Sequence, residues 1–162
     1  MTGGREIKMK IQTALLGELE IDENGILDFI EGIPAFEEEK QFVLLPMEEK
    51  GPFYYLQSVR SRDLCLLLAE PFVFFPDYEI EIADDELKKL EIASHNAMLV
   101  YVVLTVPDDF KSTTANLLAP IIINPENRKA MQYIAVSSKY TTRHRIFRQE
   151  QPAPMASAAE GR

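Results

Sequence analysis

Tryptophan is absent from this chain, cysteine occurs once and histidine twice in 162 residues. One cysteine, Cys65, excludes a disulfide framework. It lies in the apolar run LCLLLA, where a thiol reads as a small buried hydrophobe, and nothing calls for an oxidising compartment. Two histidines leave little for nucleophilic or metal chemistry. His95 sits in the polar turn SHN, and His144 stands among arginines with no acidic residue to orient it. No GxSxG elbow is present, nor an HExxH, CxxC or EF-hand pattern. No glycine-rich phosphate loop follows a strand. Asp84, Asp85 and Glu86 are adjacent, as are Asp108 and Asp109, but sequence neighbours seldom converge on one ion. A glycosidase-type carboxylate pair could be drawn among any of 26 acids, so it has no specificity. The sequence therefore assigns no catalytic residue, metal ligand or cofactor.

Long apolar runs are also missing. The longest, MLVYVVLTV, is about half of the roughly 20 residues a spanning helix needs. The start, MTGGREIKMK, lacks the apolar centre of a secretion signal. Met9 offers an alternative start, with residues 1–8 as an extension. A cytoplasmic protein is expected.

What is present is a chain of one-domain size, 46% hydrophobic, long enough to bury roughly 70% of its extended surface. Seventeen basic and 26 acidic side chains give a net charge of −9. Residues 127–149 contain no carboxylate but hold Arg128, Lys129, Lys139, Arg143, Arg145 and Arg148. The remainder is thus more acidic than the total suggests. Such a body repels nucleic acid and anionic lipid and attracts basic partners over about a Debye length.

Periodicity gives mostly strands. LGELEIDENGILDF alternates, with Asn24-Gly25 as a type I′ turn and residues 26–29 as the returning strand of a hairpin. Residues 36–40 suggest a short helical turn. FVLLP, PFYYLQSV, LCLLLAEP and AMLVYVVLTV read as strands, LCLLLAEP apolar on both faces and hence central. YEIEIA alternates again. DDELKKLEI is the best helix, with Asp84 as its cap and Leu87 and Leu90 as its apolar stripe. TTANLLAPIIINPENRKAMQYI supplies one or two buried strands, a proline turn and a further strand. In PFVFFPDY, most aromatics belong to a core, and one exposed beside Glu70 and Asp77 would serve as a binding anchor. About ten short strands with one or two short helices indicate a mainly β fold, a pseudo-barrel or folded-over, mostly antiparallel sheet. Residues 9–148 form its single domain, and residues 149–162, rich in proline and small side chains, form a flexible tail.

The cationic end allows one competing reading. Between Lys139 and Arg148, Tyr140 and Phe147 could stack on bases as part of a nucleic-acid-binding module. The acidic body opposes it by weakening phosphate contacts.

GIPAFEEEKQF, PFYYLQSV, AEPFVFFPDYEIEI and TANLLAPIIIN stand in the order and near the spacing found in the flagellar assembly factor FliW family, which the chain resembles over residues 9–147. Ala35 stands where that family often has glycine, and the tail exceeds what the family needs. The resemblance implies a bacterial cytoplasmic protein without enzymatic activity, monomeric when free. Its implied partners are flagellin and the RNA-binding translational repressor carbon storage regulator (CsrA), with no membrane and no direct nucleic acid. Free, it would sequester the repressor and allow flagellin translation; flagellin would displace it. A basic repressor suits an acidic body. The contact is expected at Glu70, Asp77, Glu79, Asp84 and Asp85, with Gln57, Ser58 and Asn116 nearby. These last residues have a structural alternative: Asn116 satisfying a turn and Gln57 a strand edge.

Overall fold

The computed structural model describes residues 7–94, 97–135 and 139–147. Eleven strands dominate it. β1 (Lys8–Thr13) and β2 (Gly17–Asp22) form a separate antiparallel pair. The others are β3 (Ile26–Phe29), β4 (Gln41–Pro46), β5 (Phe53–Ser58), β6 (Cys65–Ala69), β7 (Leu99–Thr105), β8 (Thr114–Ala115), β9 (Ile121–Ile123), β10 (Lys129–Gln132) and β11 (His144–Arg145). Two short helices, α1 (Pro71–Phe74) and α2 (Asp84–Lys89), lie between β6 and β7.

The large sheet runs β11-β8-β7-β6-β5-β4-β3-β10-β9, and β7 also pairs with β9 through Leu99 opposite Ile123. That last pairing closes a seven-strand barrel. Every rung is antiparallel except β3 with β10, where Lys129 lies opposite Asp28. The expected β fold is thus a fully closed one, which leaves the ring without edges.

Side-chain alternation explains why so many strands are apolar without a break. Phe29, Phe42, Leu56, Leu68, Ile121, Ile123 and Ala130 form one cluster with Tyr101, and Phe29 meets Phe42 edge to face at 5.2 Å. The intervening residues pack outward in three groups. Ala69, Val102 and Leu104 meet the aromatics of α1 and the C-terminal segment. Ile122 and Met131 meet Leu87 and Leu90 of α2. Val43 meets Ile11 and Ile21 of the β1–β2 pair. The wall is covered on both sides, so strands such as β6 and β9 carry hydrophobic residues at consecutive positions.

Several local expectations change. The hairpin is formed by β1 and β2, not by β2 and β3. Residues 23–25 make a 3-10 turn in which Asp22 Oδ1 accepts the Asn24 N–H at 2.9 Å, and neither Asn24 nor Gly25 has a positive φ. The type I′ turn is therefore absent. The true hairpin turn ends on Gly17, at φ +73°, with Thr13 Oγ1 accepting the Leu16 N–H and donating to the Gly17 carbonyl, each at 2.8 Å. β1 went unread because Met9 and Ile11 are its only apolar positions. Residues 36–40 form turns, not a helix, after Gly32 at φ +69° and Ala35 at φ +75°. Asp84 does not cap α2: Ala83 holds that position, without a side-chain bond. Asp84 instead lies in the first turn, where its charge favours the positive end of the helix. YEIEIA enters no ladder. Cys65 is half-buried rather than buried, and burial pushes its thiol pKa up. PFVFFPDY is helical at its start, where Pro71 occupies the first turn without sacrificing a needed donor.

Candidate docking surface

Proline sets this surface. α1 begins at Pro71, which is buried, and its four residues send Phe74 inward and leave Phe72 and Val73 exposed at 48% and 59%. Phe74 packs on Phe53 at 5.5 Å and on Phe147 at 6.5 Å. Phe72 touches Tyr78 at 5.9 Å, so the expected exposed aromatic beside Glu70 and Asp77 is Phe72.

Tyr78 fastens the segment that follows. Its hydroxyl donates to the Leu117 carbonyl at 2.6 Å, and its ring meets Tyr140 edge to face at 4.8 Å. Burial, then the neighbouring Tyr140, raises its pKa well above the usual tyrosine range. The Tyr140 hydroxyl accepts the Glu79 N–H at 3.0 Å. From there the chain runs to α2 with Glu79 and Glu81 exposed and Ile82 buried. A groove of about 270 Å³ lies along this run, with Ile80 on one side and Leu117, Tyr133 and Lys139 also lining it.

Asp77, Glu79, Asp84 and Asp85 are exposed and Glu70 is half-buried. Glu70 lies near the Tyr54–Tyr101 pair: Tyr101 is pushed up to about 12 by burial first, then by Tyr54 and Glu70. Among the described residues, none of these five carboxylates, nor Glu81, forms an ion pair. In contrast, Glu86 and Glu31 both hold Lys89 at 3.2 Å, and their hydrogen bonds raise the Lys89 pKa.

Three other residues named from the sequence serve internal bonds. Gln57 is 1% exposed, and its amide donates to the carbonyls of Ser58 at 3.1 Å and of Ser61 and Arg62 at 3.3 Å. Ser58 is fully buried; its hydroxyl accepts from the N–H groups of Arg60 at 3.2 Å and Ser61 at 2.9 Å and donates to Glu39 at 3.3 Å. These two brace the β5–β6 turn, so a partner reaches them only by opening it. Asn116 Oδ1 accepts from Leu118 at 3.1 Å and Ala119 at 3.0 Å. The structural alternative therefore holds for Asn116, which satisfies a turn, whereas Gln57 lies opposite Val43 and Cys65 in a strand paired on both sides and braces a turn instead of a strand edge.

At the cationic end, Tyr140 is packed on Tyr78, and Phe147 lies 5.0 Å from Phe110. Neither ring is presented as a free stacking platform. Arg145 donates to Ser112 Oγ at 2.9 Å, and His144 Nε2 accepts the Thr141 N–H at 2.8 Å. His95 and Arg148 lie outside the described residues, as does the expected tail. Among the described residues, no group of three or more His, Cys, Asp or Glu could hold a metal ion, and no helix is long and apolar enough to cross a membrane.

A second exposed aromatic escaped the sequence reading. Phe36, 47% exposed, sits on the Gly32–Ala35 turn beside Glu37, Glu38, Glu39 and Arg60 around a hollow of about 530 Å³. Its signal was the GIPAF turn, which leads into residues 36–40, where a short helical turn was expected.

Residues 10–146 match the family described as FliW protein. The chain belongs to the FliW family. A Syntrophomonas wolfei relative described as flagellar assembly factor FliW is 53% identical over 156 residues, spanning 94% of this chain and 100% of its own. A Geobacillus kaustophilus relative with the same description is 50% identical over 139 residues, spanning 86% and 96%. A crystal structure of the flagellar assembly factor FliW superposes with a TM-score of 0.83 at 47% identity, covering 88% of this chain and 99% of that one. The barrel is accordingly a FliW barrel.

Proposed function

We propose that this FliW-family chain is a non-enzymatic cytoplasmic docking protein for flagellin and the RNA-binding repressor CsrA. Free of flagellin, it holds the repressor and flagellin messages are translated; occupied by flagellin, it releases the repressor. The observation that supports this reading is the 70–85 surface. It combines carboxylates without ion pairs among the described residues with an exposed Phe72–Val73 pair. An acidic rim steers a basic protein and an apolar centre supplies affinity, the division of labour seen at protein interfaces.

Size-exclusion chromatography with purified repressor, flagellin and both tests this. Co-elution with each partner alone, and loss of repressor from the complex when flagellin is added, are expected. Elution of the chain by itself in all three mixtures overturns the proposal.

A further inference from the structure

YEIEIA has a strand pattern without a strand partner. Burial alternates through it: Tyr78 and Ile82 are buried, Ile80 is intermediate, and Glu79, Glu81 and Ala83 are exposed. The side chains are docked as a strand's would be, since Ile80 packs against both flanking clusters. The main chain is not. Among the described residues, the N–H and C=O groups of Ile80, Glu81 and Ile82 make no hydrogen bond. The barrel has no open edge of its own, yet this outer segment has the unpaired backbone of one.

We propose that segment 79–83 is a strand-pairing site that receives an extended peptide from a partner protein. The peptide carries Lys or Arg at two positions separated by one apolar residue. Backbone pairing supplies affinity and alternate side chains supply selectivity. Glu79 and Glu81 project to the exposed face two residues apart, with Asp77 just before them. On an antiparallel partner the residues facing them are also two apart, so the basic pair meets both carboxylates. The apolar residue between turns inward beside Ile80, next to the groove of about 270 Å³. A second copy of this chain is a poorer occupant, because its own segment sets glutamates against glutamates, and like charges directly opposed are destabilising. The inference rests on the reading of this chain as a docking protein, but not on the identity of its partner.

The test uses the full chain and an acetylated, amidated heptapeptide alternating lysine and valine. Amide NMR and hydrogen exchange report on Ile80, Glu81 and Ile82. Binding is expected to shift these amides and slow exchange of those on the paired edge. The same peptide N-methylated at every residue keeps its charges but cannot donate, and it is expected to bind roughly tenfold more weakly, in line with the loss of about two backbone hydrogen bonds. Glu79→Lys with Glu81→Lys, both at exposed positions, is expected to weaken binding comparably. Equal binding of both peptides overturns the proposal in favour of charge attraction alone. So does slowed exchange that appears on raising the protein concentration without peptide, which assigns the edge to a second copy. Failure of the peptide while flagellin and the repressor still bind overturns this inference alone; failure of all three takes the proposed function with it.

Discussion

The side-chain amide of Asn124 donates to the Leu90 carbonyl at 2.8 Å, from the β9–β10 turn to the end of α2. It also reaches the Glu91 carbonyl at 3.2 Å, while Oδ1 accepts the Glu126 N–H at 2.9 Å. Helix α2 is too short to be stable alone. Its end is closed by Ile92 N–H to Leu87 at 2.9 Å and Glu91 N–H to Lys88 at 3.0 Å, with Glu91 at φ +58°. This is a Schellman closure with glutamate where glycine is usual. Asn124 therefore ties the barrel to the helix whose first turn bears Asp84 and Asp85. Asn124→Ala removes one of two donors to the Leu90 carbonyl, the Glu91 carbonyl's donor and the acceptor of the Glu126 N–H, and should destabilise by about 1–3 kcal/mol in urea unfolding. Asn127→Ala, which removes a second donor to Leu90 at 3.1 Å, should have the smaller effect because Asn124 remains.

The GIPAF turn makes an opposite pair of predictions. Ala35 stands at φ +75°, a left-handed conformation that disfavours a Cβ by about 1–2 kcal/mol. Ala35→Gly relieves that strain but loosens the unfolded chain, so a net gain of up to about 1 kcal/mol is expected. Gly32→Ala should be clearly destabilising. At φ +69° its new Cβ would run into the Glu37 backbone, which has no flexible end to move aside. Thermal unfolding of the two variants decides the signs.

Alkaline pH should expose the buried tyrosines. Tyr101 is pushed up to about 12 from an ordinary value of 10.0, and Tyr78 is also raised. A folded-state pKa above the unfolded one means that the folded chain holds its proton more tightly. The associated stability is intact below about pH 10. It is lost progressively as pH climbs toward 12. Tyr101→Phe should therefore show a shallower fall in stability than the parent above about pH 10, and the same slope below it. Unfolding midpoints measured across pH 8 to roughly 11.5 check this.

The exposed aromatic on α1 gives a prediction about binding without stability. Phe72 and Val73 are largely in water, so Phe72→Ala should change the unfolding midpoint little. As an interface anchor it should weaken partner binding by about 1–3 kcal/mol. Calorimetry with flagellin and with the repressor, alongside a melting curve, separates the two effects.

The barrel was legible in the sequence because its strands are covered on both faces. β6, β7 and β9 are apolar at consecutive positions, a pattern that survives reading without coordinates. β1 was not, because KMKIQT has only two apolar positions and its role depends on a remote surface at Val43. Asn24-Gly25 misled because its local turn preference yields to Asp22, whose carboxylate builds a different turn. The acidic surface was legible as composition: Asp77, Glu79, Asp84 and Asp85 are exposed as expected. Gln57 and Ser58 were not separable from it, since a polar residue next to a turn reads alike whether it faces a partner or braces the backbone. The missing ladder at Ile80 and Ile82 could not be read at all. Alternation states which side chains point inward, but not whether another strand lies alongside.

Calorimetric titration of the repressor into the parent and into one combined variant tests the central claim most directly. The variant carries Asp77→Asn, Glu79→Gln, Asp84→Asn and Asp85→Asn, all at exposed positions. An acidic docking surface predicts sub-micromolar binding by the parent that weakens with salt. It also predicts at least roughly tenfold weaker binding by the variant, with a flatter salt dependence. The same affinity and salt dependence for both chains would contradict it.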